Sequence, residues 1–136
     1  MYQFNPYALP PLIASIYTLF LGLFIFIMRR KVWVNFVCSL TYYCVAIWLF
    51  GYAMLYFTKQ PTSLFWPKFV YIGVFFIGST IYHFSVVLVN ARRQKKFVLL
   101  AYLISVCFLS LLLLTDNFIA GVKKHFWGYH TVVNPL

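Results

Sequence analysis

His83 is a titratable side chain deep inside a long uncharged segment of the sequence, residues 69–90. A polar group in such a segment usually faces other protein groups and is a candidate for function. Proton transfer through the imidazole would need an acidic partner, but the one acid of the chain, Asp116, lies far along the sequence. We therefore expect a neutral His83 that hydrogen-bonds Ser79, Tyr82 or a neighbouring helix, and ligand binding is the alternative.

A second candidate is a stripe of aromatic side chains. The stripe has three- and four-residue spacing, which places its members on one face of a helix: Trp48, Gly51, Tyr52, Leu55 and Tyr56. Because aromatic faces attract cations and apolar groups, the stripe could line the mouth of a site for such a ligand. The alternative is helix packing together with a belt of rings at the membrane surface.

The C-terminal tail contains the remaining candidates, Asp116 and Trp127. Asp116 could cap a turn, pair with Lys123 or Lys124, or contribute to a ligand site. Trp127 is a further ligand-site candidate, and its alternative role is a ring at headgroup level on the outer membrane surface. The two histidines of the tail have no acid or cysteine at a suitable spacing, so we predict no metal site.

No set of residues suited to catalysis is evident. The sequence has one acid among 136 residues, and it contains no paired carboxylates, no Ser-His-Asp set and no glycine-rich phosphate loop. We predict that the chain is not an enzyme and holds no cofactor.

The elements that position these residues follow from composition. Hydrophobic residues make up 64% of the chain and charged residues only 9%, whereas a soluble domain is about one quarter charged. Lipid is therefore expected to be the main solvent, because too little polar surface exists for a water-soluble globule. The net charge of +10 does not indicate nucleic-acid binding, since the basic residues are clustered at the ends of apolar segments.

Four segments lack charge, residues 11–28, 32–57, 69–90 and 97–115. They predict transmembrane helices at about residues 11–28, 34–57, 67–90 and 97–115. Such lengths cross the hydrocarbon core, where lipid offers the backbone no hydrogen-bond partners outside a helix. The predicted fold class is all-α, a polytopic membrane protein with four transmembrane helices in an antiparallel bundle. Residues 1–136 form a single membrane domain, in which residues 116–136 are an extracytoplasmic tail at the outer interface.

The basic residues predict that the N-terminus lies outside. Seven of the eleven Lys and Arg residues fall within residues 29–31 and 92–96, which share one side of the membrane in a four-helix topology. The positive-inside rule places these clusters in the cytoplasm, and the C-terminus then also lies outside.

The start of the third helix has two candidates. Pro61 is suited to the first helical position, and a helix from there would bend where Pro67 removes a hydrogen bond. A start near Pro67 would instead place Trp66 in the headgroup layer.

Short apolar motifs occur in order along the chain: Pro6–Pro11, Ala46–Ala53, Phe65–Trp66, Phe69–Gly73, Tyr82–Phe84, Phe118–Val122 and Phe126–Tyr129. By the order and spacing of these motifs, the chain resembles the N-terminal seven-transmembrane sensor region of bacterial and archaeal histidine kinases. The resemblance extends from about Asn5 to the C-terminus.

The resemblance implies a sensor or receptor module in signal transduction, in the cytoplasmic membrane of a bacterium or archaeon. In that family three more helices, and usually a kinase or other output domain, follow the loop after the fourth helix. The sequence stops at Leu136 within that loop, so we expect a truncated or split input region. Its expected partners are the bilayer and either a second copy or separate helices with a kinase.

Two other functions are considered. The first alternative is a small four-helix accessory subunit of a membrane complex, and a neighbouring reading frame that encodes a kinase would argue against it. A transporter or channel is less well supported, because few polar groups lie at membrane depth. If helices are missing, some of the residues that mark the inner side of the bundle should face outward: Gly51, Tyr52, Ser79 and His83.

Overall fold

The computed structural model describes residues 4–28, 32–58, 65–115, 119–126 and 128–133. Its helices are α1 (Leu9–Met28), α2 (Trp33–Phe57), α3 (Phe65–Leu88) and α4 (Lys95–Leu114), and its strands are β1 (Ile119–His125) and β2 (Gly128–Val133). Short 3-10 turns, Pro6–Ala8 and Arg92–Gln94, precede α1 and α4. All four helices are long and apolar enough to cross a membrane, which confirms the number of predicted spans.

The structure tests one of the two predicted starting points of the third helix. The helix already includes Phe65 and Trp66, so it does not begin at Pro67, and Pro61 lies outside the described residues. Pro67 is buried and is the third residue of α3. A proline is tolerated near the start of a helix, where the first N–H groups have no partner within it.

Helix α1 packs against α2, and the contacts run in opposite order along the two helices. The Asn5 side-chain amide, just before α1, donates to the Tyr56 carbonyl near the end of α2 at 3.1 Å. Midway, the Ser15 hydroxyl donates to the Ala46 carbonyl at 2.9 Å. These bonds satisfy polar groups that lipid could not.

Helix α3 packs against the other side of α2 through small residues. A Cβ built on Gly51 would lie 2.8 Å from a methyl of Val70, and one on Gly73 would lie 2.6 Å from the carbonyl oxygen of Cys44. Such close approach is typical of membrane helices, because dispersion contacts grow when small residues let the backbones meet.

The helices form a row in chain order. α1 contacts α2, α2 contacts α3 and α3 contacts α4, whereas no comparable interface joins α1 to α4 in the part of the chain that the structure describes. The interface between α3 and α4 is the smallest of the three. Large aliphatic and aromatic side chains on α1 and α4 are exposed accordingly, including Phe20, Phe24, Leu99 and Leu103.

The tail adds two strands that the all-α prediction did not include. β1 and β2 pair antiparallel, His125 lies opposite Gly128, and the register shifts between Ile119 and Gly121. β2 contacts α2, and Phe126 in the turn meets Tyr7 edge to face at 6.2 Å between ring centres. The hairpin was not predicted, because an apolar side in a short segment fits a surface helix and a strand equally well.

Helix α3 ends in a Schellman motif. The Ala91 amide donates to the Val86 carbonyl at 3.0 Å, and the Asn90 amide donates to the Val87 carbonyl at 3.1 Å. Asn90 has a positive φ of 54°, the left-handed conformation that asparagine tolerates better than most residues. The motif turns the chain sharply and brings the start of α4 beside the end of α3.

Candidate functional site

Side chains from three helices meet around His83. Its Nδ1 lies 3.2 Å from the Tyr102 hydroxyl on α4, and the two rings are nearly perpendicular with centres 5.7 Å apart. Trp33, at the start of α2, approaches the imidazole with ring centres 6.2 Å apart. The partner of His83 is therefore on a neighbouring helix, one of the alternatives expected from sequence. Tyr82, another expected partner, instead donates to the Gln94 side chain.

The bond to Tyr102 leaves the other imidazole nitrogen available for a ligand. In a neutral imidazole one nitrogen donates and the other accepts. When the Tyr102 hydroxyl donates to Nδ1, the ring proton lies on Nε2, and His83 can donate a hydrogen bond from that side. His83 is only half-buried, and no acidic side chain is found among the described residues, since Asp116 lies outside them.

An open cleft of about 600 Å³ lies beside this cluster. It is at the end of the helices where α2 and α4 begin and α3 ends. Its lining combines polar and apolar side chains, among them Trp33, His83, Val86, Asn90, Lys95 and Val98. Trp33 is 59% exposed, so its indole is accessible from outside the protein. We call this feature the His83 cleft.

The electrostatic character of the cleft is positive. Lys95 is the first residue of α4, whose first turn contains no acid and whose N-cap, Gln94, makes no side-chain capping bond. A helix N-terminus carries partial positive charge, and here the lysine ammonium adds to it. The cleft is therefore suited to an anionic group at its rim.

A buried hydroxyl pair joins α3 to α4 one to two turns from His83. Ser105 donates to the Phe75 carbonyl at 2.7 Å, and the hydroxyls of Ser79 and Ser105 lie 2.6 Å apart. Ser79 also lies 3.0 Å from the Ala101 carbonyl. Because each hydroxyl has one proton, Ser79 can donate either to Ser105 or to Ala101 while Ser105 holds the Phe75 carbonyl.

The α3 side of this interface was predicted from sequence, and the α4 side was not. Ser79 and His83 were expected to mark the inner side of the bundle, and both contact α4. Tyr102 and Ser105 were not singled out, although their three-residue spacing places both on one face of α4. Ser79 and His83 likewise share one face of α3, because they are four residues apart. Two polar pairs at helical spacing on successive helices are the sequence signal that could have identified Tyr102 and Ser105.

The predicted aromatic stripe is continuous but separate from the cleft. Trp48 and Tyr52 meet edge to face at 5.8 Å, and Tyr52 and Tyr56 follow at 6.1 Å. Trp48 lies 15 residues after Trp33, roughly 22 Å along the same helix. The three rings are half-buried, and the backbone of Trp48 lies against Gly73 of α3.

The outward-facing residues expected from sequence divide into two classes. Gly51 and Ser79 are buried between helices, whereas Tyr52 and His83 remain partly exposed. Asp116 and Trp127 lie outside the described residues. Within the described ranges, no group of three or more metal-ligating side chains comes together.

Comparison with known proteins finds one family. The family described as the N-terminal 7TM region of histidine kinase matches residues 10–134. Neither the curated proteins nor the solved structures contain a match to the chain.

Proposed function

The chain belongs to the family of N-terminal seven-transmembrane regions of histidine kinase, and from this premise we propose that it is a membrane-embedded sensor input region. Its role is to convert a stimulus at the membrane into a change in helix arrangement. A kinase partner or further helices would carry that change to the output. The chain supplies no catalytic residue in this scheme.

The observation that carries the proposal is the contrast between the helix interfaces. Gly22, Gly51 and Gly73 hold α1, α2 and α3 so closely that added Cβ atoms would lie 2.6–3.0 Å from their neighbours. The smaller interface between α3 and α4 contains the Ser79–Ser105 hydroxyl pair instead. A hydroxyl can exchange one acceptor for another during a small shift, whereas helices packed this closely cannot slide without clashing.

We infer that α4 is the moving element and that α1, α2 and α3 form its frame. The Ser79 hydroxyl has two acceptors on α4 within reach, Ser105 and Ala101, so a small displacement of α4 could break one of these contacts while the hydroxyl keeps the other. A stimulus would act by binding more tightly to α4 in one of these two positions.

The orientation proposed here places both ends of the chain outside a bacterial or archaeal cytoplasmic membrane. The short basic segments at residues 29–31 and 92–96 would then face the cytoplasm. The His83 cleft, which is lined by Lys95, would open at the cytoplasmic side. The aromatic stripe and the hairpin would lie toward the outside.

We predict phosphatase activity and no cytoplasmic fluorescence from fusions at Leu136. The fusion partners are alkaline phosphatase, which is active only outside, and a fluorescent protein that matures only in the cytoplasm. Replacing Arg29, Arg30 and Lys31 by Gln, with the rest unchanged, should weaken this orientation because it removes positive charge from the first inner loop. Fluorescence without phosphatase activity from the unaltered chain would contradict the four-crossing topology.

If α4 moves against a rigid frame, spin labels on α3 and α4 should show two populations of distances in lipid nanodiscs, and labels on α2 and α3 should show one. Spin labels at Val74→Cys and at native Cys107, both exposed, would report α3–α4, with Cys38 and Cys44 replaced by Ala. Labels at Phe50→Cys and Val74→Cys, with Cys107 also replaced, provide the matched control inside the frame. Electron-electron double resonance should give a bimodal α3–α4 distribution whose ratio changes in the Ser79→Ala variant.

A single narrow α3–α4 distribution, unchanged in Ser79→Ala, would contradict the proposal. If the chain then co-purified from native membranes at fixed stoichiometry with a complex that contains no kinase, the accessory-subunit function would replace it.

A further inference from the structure

The His83 cleft presents charge at its rim and apolar surface in its wall. Lys95 and Asn90 lie at the rim, at the end of the helices where α3 stops and α4 begins. Val86 and Val98, both less than 10% exposed, form the apolar part of the lining. An occupant that matches both parts must be amphipathic.

The rim favours a negative occupant. No acidic side chain occurs among the described residues, because the one acid of the sequence, Asp116, lies outside them. Lys95 therefore has no carboxylate to neutralise it in the described part of the chain. An ammonium and a side-chain amide are both suited to a phosphate, which accepts charge-assisted hydrogen bonds.

The depth of the cleft matches the region where a phospholipid changes from headgroup to acyl chain. His83 lies seven residues before Asn90, so its imidazole is roughly 10 Å deeper along α3. The ester groups of a phospholipid lie on the acyl-chain side of its phosphate, and an imidazole N–H deeper in the cleft than Asn90 can donate to an ester carbonyl. The exposed indole of Trp33 borders the cleft. Tryptophan is a residue that is enriched at the membrane interface.

We propose that the His83 cleft is a binding site for an anionic phospholipid. Lys95 and Asn90 hold the phosphate, His83 donates to an ester carbonyl, and Val86 and Val98 contact the first part of an acyl chain. The site does not depend on the sensor function. Only its assignment to the cytoplasmic leaflet rests on the proposed orientation.

The test compares lipids of equal acyl chains but different headgroups. The delipidated full chain, in detergent micelles, would be titrated with dioleoyl phosphatidylglycerol, dioleoyl phosphatidylcholine or glycerol 3-phosphate, and bound species counted by native mass spectrometry. Phosphatidylglycerol should bind about tenfold more tightly than phosphatidylcholine, because both lipids offer a phosphate to Lys95 but the choline ammonium of the second cancels its net negative charge. Glycerol 3-phosphate should not bind detectably, because it lacks the apolar part.

Lys95→Gln and Lys96→Gln form a matched pair, since both lysines are exposed, each variant removes one charge, and Lys96 is not among the cleft residues. Lys95→Gln should remove the tenfold preference, whereas Lys96→Gln should retain it. In a variant with Trp33 as its sole tryptophan, brominated phosphatidylglycerol should quench the fluorescence and brominated phosphatidylcholine at equal concentration should quench it less.

Three results would overturn the site. Equal binding of the two lipids would remove the headgroup preference. Equal effects of Lys95→Gln and Lys96→Gln would show a diffuse surface charge. Tight binding of glycerol 3-phosphate would show a site for a free phosphate compound in place of a lipid. None of these results bears on the distances between α3 and α4, so the sensor proposal would stand or fall separately.

Discussion

Replacing Gly73 by Ala is expected to lower the free energy of unfolding by about 2–3 kcal/mol, near the upper end of overpacking effects. A Cβ at this position would lie 2.6 Å from the Cys44 carbonyl oxygen, 2.8 Å from the Trp48 amide nitrogen and 2.9 Å from the Trp48 Cβ. The first two are backbone atoms, so no flexible side chain can move aside. Helices α2 and α3 must separate, and the separation weakens every contact along their interface.

The matched control is Gly78→Ala in the same helix. No atom lies within 4 Å of a Cβ built there, and alanine favours a helix over glycine by up to about 1 kcal/mol. Gly78→Ala should therefore be neutral or slightly stabilising. The measurement is unfolding in mixed micelles by increasing fractions of sodium dodecyl sulfate, followed by tryptophan fluorescence and circular dichroism. Equal midpoints for Gly73→Ala and Gly78→Ala would contradict the close packing of α2 on α3.

Leu55→Ala is expected to cost about 2–4 kcal/mol, because the side chain is fully buried and its truncation leaves a cavity. The surroundings explain this burial near the end of α2. Asn5 bonds the next residue, Tyr56, from the side of α1. Gly51, one turn earlier, meets Val70 of α3, and the hairpin strand β2 also contacts α2.

Leu103→Ala is the control for this prediction. Leu103 is 58% exposed on α4, so lipid or detergent fills the volume that the truncation leaves, and the expected loss is below about 1 kcal/mol. A second control, Leu55→Met, nearly conserves volume and should lose less than about 1.5 kcal/mol. The same unfolding assay ranks the three variants. If Leu55→Ala and Leu103→Ala lost equal stability, the packing around the end of α2 would be wrong.

The sequence alone determined the four spans. Uncharged apolar segments of this length must be helical in lipid, because the backbone has no other source of hydrogen bonds there. It also determined the stripe formed by Trp48, Tyr52 and Tyr56, since a helix aligns residues four apart, and the ring contacts confirm it. The predicted start of the fourth helix, near residue 97, was two residues late. α4 begins at Lys95 within the basic cluster, because a lysine stem can follow the helix while its ammonium reaches the surface.

The tertiary structure alone decided which apolar side chains face protein. Leu55 and Leu103 are chemically identical, yet one is fully buried and the other is exposed. In water their hydrophobicity would assign both to a core, but in lipid either environment is apolar, so composition has no power to separate them.

The same limit applies to the candidate site. His83 was identified from sequence because a polar group in an apolar segment stands out. Its partners Tyr102 and Trp33, the hydroxyl pair of Ser79 with Ser105, and the cleft beside them depend on how α4 lies across α3. The spacing along one helix fixes which residues share a face, whereas the partner of that face is set by packing between helices distant in sequence.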